Sequence, residues 1–142
     1  YLNMIVADQE VRERDPAAWA VLLDHNGNLA EGLGSNIFIV KDGRIATPQG
    51  RYVLEGVSRQ TVIELAREQK LEIIERDLDL YDAYTADEVF LTSTSLCICP
   101  VSAVNGAKIA GGTIPGPVTK RLTDAYSAMV GCDIPGQYLA RL

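Results

Sequence analysis

The chain has 142 residues, 47% hydrophobic and 23% charged, with a formal net charge of −6. That is enough apolar content for one domain with a real core, and no apolar stretch approaches the length of a membrane span. The acidic balance is spread without a basic stripe, which argues against nucleic acid and gives no electrostatic reason to approach an anionic membrane.

The sequence begins at Tyr1, without an initiator methionine and already inside an apolar-periodic segment of Leu2, Ile5, Val6 and Val11. It is therefore read as part of a longer protein, opening on a helix to about Arg14. A buried strand is expected at Trp19-Ala20-Val21-Leu22-Leu23, ending in the turn Asp24-His25-Asn26-Gly27. Strand Asn36-Ile37-Phe38-Ile39-Val40 turns at Lys41-Asp42-Gly43 into Arg44-Ile45-Ala46-Thr47, a hairpin signal that Pro48 stops. Gly56-Val57-Ser58-Arg59 leads into a helix with apolar face Val62, Ile63 and Ala66, for which Ser58 is the expected N-cap.

A strand at Glu72–Glu75, a helical turn at Leu80–Ala83 and a buried strand at Glu88–Thr92 follow. Val104-Asn105-Gly106-Ala107 reads as another hairpin turn, Gly111 and Gly112 as a loop, and Gly116-Pro117 as the start of a last helix carrying Leu122, Tyr126 and Met129. The tail from Gly131 is read as irregular. Strands and helices mix within one α/β unit, with no repeat and no internal linker.

Three segments carry possible chemistry. Glu31 lies among glycines between two apolar strands, in Asn28-Leu29-Ala30-Glu31-Gly32-Leu33-Gly34-Ser35-Asn36. It is either an exposed turn residue or a buried carboxylate, and if buried it needs a cationic partner. Gly56-Val57-Ser58 leaves unsatisfied N–H groups at the positive end of a helix dipole, a ready anion site, although many helices start this way and bind nothing. Ser93-Thr94-Ser95 offers hydroxyls at the carboxyl end of a strand, where ligands of open α/β sheets bind; such a cluster can equally serve its own backbone.

Metal and disulfide chemistry fit poorly. Cys97, Cys99 and Cys132 form no even framework, and reduced thiols in a cytoplasm are expected. Cys97-Ile98-Cys99 falls short of a zinc ligand set, because the single histidine, His25, belongs to a turn.

Taken in order, Tyr1-Leu2-Asn3, Leu29-Ala30-Glu31-Gly32 with Ser35-Asn36-Ile37-Phe38, Asp42-Gly43 with Thr47-Pro48, Leu54 to Arg59, Ala86-Asp87-Glu88-Val89-Phe90, Thr92 to Ser95 with Pro100-Val101, and Gly116-Pro117-Val118-Thr119 form a recognisable series. The series resembles the class IV (fold type IV) aminotransferases, which include branched-chain and D-amino-acid aminotransferases, R-selective amine transaminases and aminodeoxychorismate lyase. The resemblance implies a barrel-like α/β domain, the larger C-terminal domain of such an enzyme, over residues 1–130. It leaves 131–142 as a tail and places a small N-terminal domain outside the chain.

The resemblance implies pyridoxal 5′-phosphate as cofactor, an amino donor and a 2-oxo acid or ketone acceptor as substrates, and a homodimer. Glu31 matches the glutamate that pairs with the pyridine nitrogen. Tyr1 matches the tyrosine that hydrogen-bonds the phenolic oxygen, and Leu54 the apolar residue on the ring face. Val57, Ser58 and Thr94 would hold the phosphate, and Ser95 lies where the substrate carboxylate is received. The Schiff-base lysine lies upstream of Tyr1 in the family, and none of Lys41, Lys70, Lys108 or Lys120 is a fitting substitute, so the 142 residues alone are expected to be inactive. The Leu-Gly-Ser-Asn loop and the segment Glu13–Ala18 lean toward amine and D-amino-acid transaminases. Two alternatives remain open: a lyase on the same cofactor frame, and a domain that binds a phosphorylated ligand or serves assembly without turnover.

Overall fold

The computed structural model describes residues 1–140. Its elements are α1 (Leu2–Arg14), β1 (Val21–Leu23), β2 (Leu29–Gly32), β3 (Ser35–Lys41), β4 (Arg44–Thr47), α2 (Val57–Glu68), β5 (Ile73–Glu75), α3 (Leu80–Tyr84), β6 (Glu88–Ser93), β7 (Cys97–Val101), β8 (Ala103–Val104), β9 (Ala107–Lys108), α4 (Pro117–Val130) and α5 (Ile134–Leu139). The mixed α/β class expected from the sequence is the fold observed.

β3 is the hub. Every residue from Ser35 to Val40 is buried, and successive side chains of a strand point to opposite faces, so this one strand feeds two cores. Phe38 and Val40 join Val62, Ile63, Leu122 and Tyr126 from α2 and α4. Ile37 and Ile39 join Leu78, Ala83, Val89 and Leu91 on the other face. Burial on both faces explains why the run reads as continuously apolar and not alternating.

Along one edge β3 pairs with β6 from Asn36↔Thr92 to Val40↔Glu88. Its other edge is shared, with β2 against Ser35 and Asn36 and β4 against Ile39 to Lys41. In the register pair Phe38↔Phe90 the rings stack with centroids 4.9 Å apart. The path β4, α2, β5 is a parallel crossover, and β8 and β9 form a separate ribbon. β1, β5 and β7 are each paired on one side among the described residues, an open sheet compatible with a barrel-like domain.

The β3–β4 turn takes φ of 50° at Asp42 and 75° at Gly43, and the β8–β9 turn takes 47° at Asn105 and 80° at Gly106. Both are the paired left-handed conformations that a two-residue hairpin needs and that Asp-Gly and Asn-Gly supply at little cost.

Three expectations are corrected, and one helix forms as expected. Trp19 and Ala20 precede β1, and Trp19 is 43% exposed; β1 lies at the sheet edge and pairs with β2 alone, so burial stops at Ala20. α1 forms as its spacing predicted but buries none of its residues. The N-cap of α2 is Gly56, not Ser58, which lies inside the helix. The tail is not irregular: Asp133 caps α5 by accepting from the Gly136 N–H, and Ile134 is buried against the core of α2 and α4. Residues 141 and 142 of that tail lie outside the described residues.

Candidate functional site

A cleft of about 330 Å³ opens beside the start of α2. Tyr1, Glu31, Leu54, Val57, Ser58 and Thr94, which are scattered along the chain, all line it. Ser95 is exposed in the turn after β6 and is not among the lining residues.

Strand register builds the floor. Glu31 on β2 faces Asn36 on β3, which faces Thr92 on β6, so the three form one row across the sheet. All three are buried, an unusual polar stripe on the face that two residues further along carries Phe38 and Phe90. Glu31 Oε2 accepts from the Leu54 N–H at 2.8 Å and from Asn36 Nδ2 at 3.3 Å. The same Asn36 nitrogen donates to the Leu54 carbonyl at 3.0 Å. Among the described residues Oε1 of Glu31 receives no hydrogen bond, and no lysine or arginine pairs with this carboxylate. A 7%-exposed acid that lines a cleft with one oxygen unspent can accept a further N–H donor, for which a cationic one is favoured.

The other end of the cleft is the start of α2. No side chain caps this 12-residue helix, and the N–H groups of Val57, Ser58 and Arg59 find no acceptor among the described residues. These free donors and the helix dipole leave a positive end that can accept an anion. The N-cap is a glycine for a steric reason: a Cβ at Gly56 would sit 2.5 Å from Asn36 Oδ1.

Ser58 spends its proton on the Ser93 carbonyl at 2.9 Å, which fastens α2 to the end of β6 and brings Thr94 to the same mouth. Its backbone N–H and hydroxyl lone pairs are what remain for a ligand. Ser93 Oγ accepts from the Leu96 N–H at 3.0 Å, so this hydroxyl serves its own turn. Beneath α2, the buried Arg59 donates through Nη2 to the Pro48 carbonyl at 2.9 Å and to Glu75 at 2.7 Å. That contact ties the helix start to the ends of β4 and β5.

Asn36, Thr92 and Arg59 were missed as site residues by sequence reasoning. An asparagine and a threonine within otherwise apolar buried strands were the available signal. No grouping of three or more His, Cys, Asp or Glu side chains suited to a metal occurs among the described residues. Burial pushes the Cys99 thiol up from its ordinary value, which makes it a poor nucleophile. No helix among the described residues is long and apolar enough to cross a membrane.

Comparison with known proteins finds relatives of one family. The branched-chain-amino-acid aminotransferase of Pseudomonas aeruginosa is 41% identical over 130 residues, which cover 92% of this chain and 42% of that relative. The branched-chain amino acid aminotransferase structure from Escherichia coli superposes with a TM-score of 0.84 at 38% identity, covering 92% of this chain and 43% of that one. The putative branched-chain amino acid aminotransferase from Thermotoga maritima gives a TM-score of 0.81 at 32% identity, over 92% of this chain and 46% of that one. A further branched-chain amino acid aminotransferase, solved with pyridoxamine 5′-phosphate, superposes with a TM-score of 0.83 at 34% identity, again over 92% of this chain and 43% of that one. These relatives are branched-chain enzymes by name, where the Glu31 loop leaned toward amine and D-amino-acid transaminases. The chain spans less than half the length of the curated relatives it matches. The family model described as Amino-transferase class IV matches residues 1–104, and the chain belongs to that family.

Proposed function

We propose that this chain is the cofactor-binding domain of a pyridoxal-phosphate-dependent transaminase that moves an amino group from an amino acid to a 2-oxo acid. One observation carries the reading: a buried carboxylate with a free oxygen shares a single cleft with an uncapped helix N-terminus. Those two features complement the two charges a pyridinium phosphate presents, and their arrangement fits the group.

Glu31 would keep the ring nitrogen protonated through Oε1, while the exposed Leu54 packs against the ring. The free N–H groups of Val57 and Ser58 would hold the phosphate with the Thr94 hydroxyl, and Tyr1 would reach the phenolic oxygen. Ser95, in the turn beside the mouth, would receive the substrate carboxylate. When bound, the cofactor supplies an electron sink for the charge left at the substrate's Cα as its proton departs. The chain's own contribution is a fixed negative charge at one end, fixed dipoles at the other, and apolar side chains between them that a bound ring would cover.

Among the described residues no lysine lines the cleft, and by the family resemblance the proton-moving lysine is proposed to belong to another part of the full-length protein. We assign the whole protein to the cytoplasm as a homodimer. Branched-chain amino acids are the first donors to try, supported by the names of the relatives.

The test uses the full-length gene product. Added pyridoxal phosphate should give a visible absorption band, and the cofactor should stay attached through borohydride reduction and dialysis. Turnover of leucine, isoleucine or valine should then require a 2-oxo acid. Product without an acceptor would instead indicate lyase chemistry, and the absence of any cofactor band would overturn the reading.

A further inference from the structure

We propose that Asn36 is the positioning residue of the cleft: its amide aims one oxygen of Glu31 at the cofactor and couples that carboxylate to the segment that begins α2. The inference rests on the cofactor-binding reading above.

An amide nitrogen carries two hydrogens, and both are spoken for here, by Glu31 Oε2 at 3.3 Å and the Leu54 carbonyl at 3.0 Å. The orientation is forced. Turning the amide over would set its oxygen against two acceptors, so the nitrogen must face Glu31 and Leu54. With Asn36 and the Leu54 N–H both drawing on Oε2, the remaining oxygen is the one left for the ligand.

Asn36 Oδ1 meets the other end of the site. It lies so near Gly56 that a Cβ there would come within 2.5 Å, so the same side chain sets how closely the helix N-cap approaches the sheet. Asn36 is 6% exposed and held in register on both sides, by Glu31 of β2 and Thr92 of β6. A group on a central strand flanked by two ladders is a firmer reference point than the loop it positions. One buried amide thus fixes the spacing between the negative end and the anion-binding end of the cleft.

The test is a double-mutant cycle in the full-length protein, read as the dissociation constant for pyridoxal phosphate from absorbance titration. Asn36→Leu keeps the side chain's shape and removes both donors. It should weaken cofactor binding about tenfold in the native background and less than about twofold when Glu31 is already Gln, because no carboxylate is left to aim. Gly56→Ala is the second probe. Its φ of −60° suits alanine, so its effect comes from pressing on Asn36 and on the helix start that Asn36 spaces, and it should weaken cofactor binding in both backgrounds but more strongly in the native one.

Thermal midpoints of the cofactor-free proteins separate positioning from folding: they should move far less than affinity does. Equal losses of affinity in both backgrounds would show a merely structural amide and overturn the proposal. So would unchanged affinity in both Asn36→Leu and Gly56→Ala while Glu31→Gln still weakens binding. A native protein that shows no cofactor band overturns the functional reading itself, and this inference with it.

Discussion

Substituting Glu31 in two ways should separate its mechanical role from its charge. In Glu31→Ala the Leu54 N–H at 2.8 Å and the Asn36 amide at 3.3 Å both lose their acceptor. A hydrogen bond to a charged group contributes about 1.5–3 kcal/mol, and the longer contact belongs at or below the bottom of that range. Water entering the cleft recovers part of the loss, leaving a net destabilisation of about 2 kcal/mol. In Glu31→Gln the side-chain carbonyl can take the place of Oε2 and keep both donors, while removal of a buried charge relieves desolvation. Its stability should therefore stay within about 1 kcal/mol of native. Cofactor affinity should follow a different order, falling about 10- to 100-fold in both variants, because one charge-assisted contact of about 1.5–3 kcal/mol disappears in each. Urea denaturation of the cofactor-free full-length protein and absorbance titration with pyridoxal phosphate supply the two rankings. If both assays rank the variants identically, or if Gln binds cofactor as glutamate does, the separation of roles fails.

Three further outcomes follow from contacts elsewhere. Glu88 is buried and accepts from the N–H groups of Val118 at 2.9 Å and Thr119 at 2.7 Å, capping α4 from the start of β6 where the N-cap Gly116 has no side chain. Glu88→Ala should cost about 3 kcal/mol in urea titration, and Gly116→Ala should also destabilise, since its new Cβ overlaps the Glu88 carboxyl. Phe90→Ala removes a fully buried ring stacked on Phe38 and should cost about 3–5 kcal/mol by the same measurement. The Arg76 guanidinium holds the Asp82 carboxyl below its ordinary value, and the Asp42 N–H and Lys41 ammonium do the same for Asp87. Depressed carboxylates stabilise the fold above their unfolded-state pKa and lose that contribution as pH falls through the depressed values, so the urea midpoint should drop on acidification, and Asp82→Asn with Asp87→Asn should flatten the drop.

What was legible in the sequence was what local rules control. The Asp42-Gly43 and Asn105-Gly106 turns need left-handed φ at both central positions, and few residue pairs provide it. The apolar faces of α2 and α4 follow from helical spacing. Cap identity was not legible, because it depends on a tertiary approach: Ser58 is a better local cap than Gly56, but Asn36 Oδ1 occupies the space any larger N-cap side chain would need. Burial of β1 was misjudged for a related reason, since an apolar run does not state whether its strand lies at a sheet edge. The helix of the tail could have been found, as Asp133 three residues before Gly136, with Pro135 in the first turn, is a capping pattern. The Glu31–Asn36–Thr92 row was out of reach, because the register pair Asn36↔Thr92 joins residues more than fifty positions apart in the chain.

The two ends of the cleft are held by different means, and this shapes what each can tolerate. The carboxylate end rests on ladder hydrogen bonds within a sheet buried on both faces, where a shift in register would turn every side chain of β3 to the wrong core. The helix end rests on three side-chain contacts: Ser58 to the Ser93 carbonyl, Arg59 to Pro48 and Glu75, and Asn36 against Gly56. Three of the residues proposed to touch the ligand, in contrast, are left open, with Leu54 74% and Val57 79% exposed and Tyr1 83%. Apolar area on such a rim gains about 25 cal/mol per Å² when a ligand or another part of the protein covers it, so the affinity that Leu54 and Val57 can contribute is still unspent in this fold. Rigid polar groups that fix orientation, surrounded by apolar surface awaiting cover, divide specificity from affinity. Substitutions on the rim should therefore change how tightly a ring is held, whereas substitutions in the Glu31–Asn36 row should change the protonation state in which it is held.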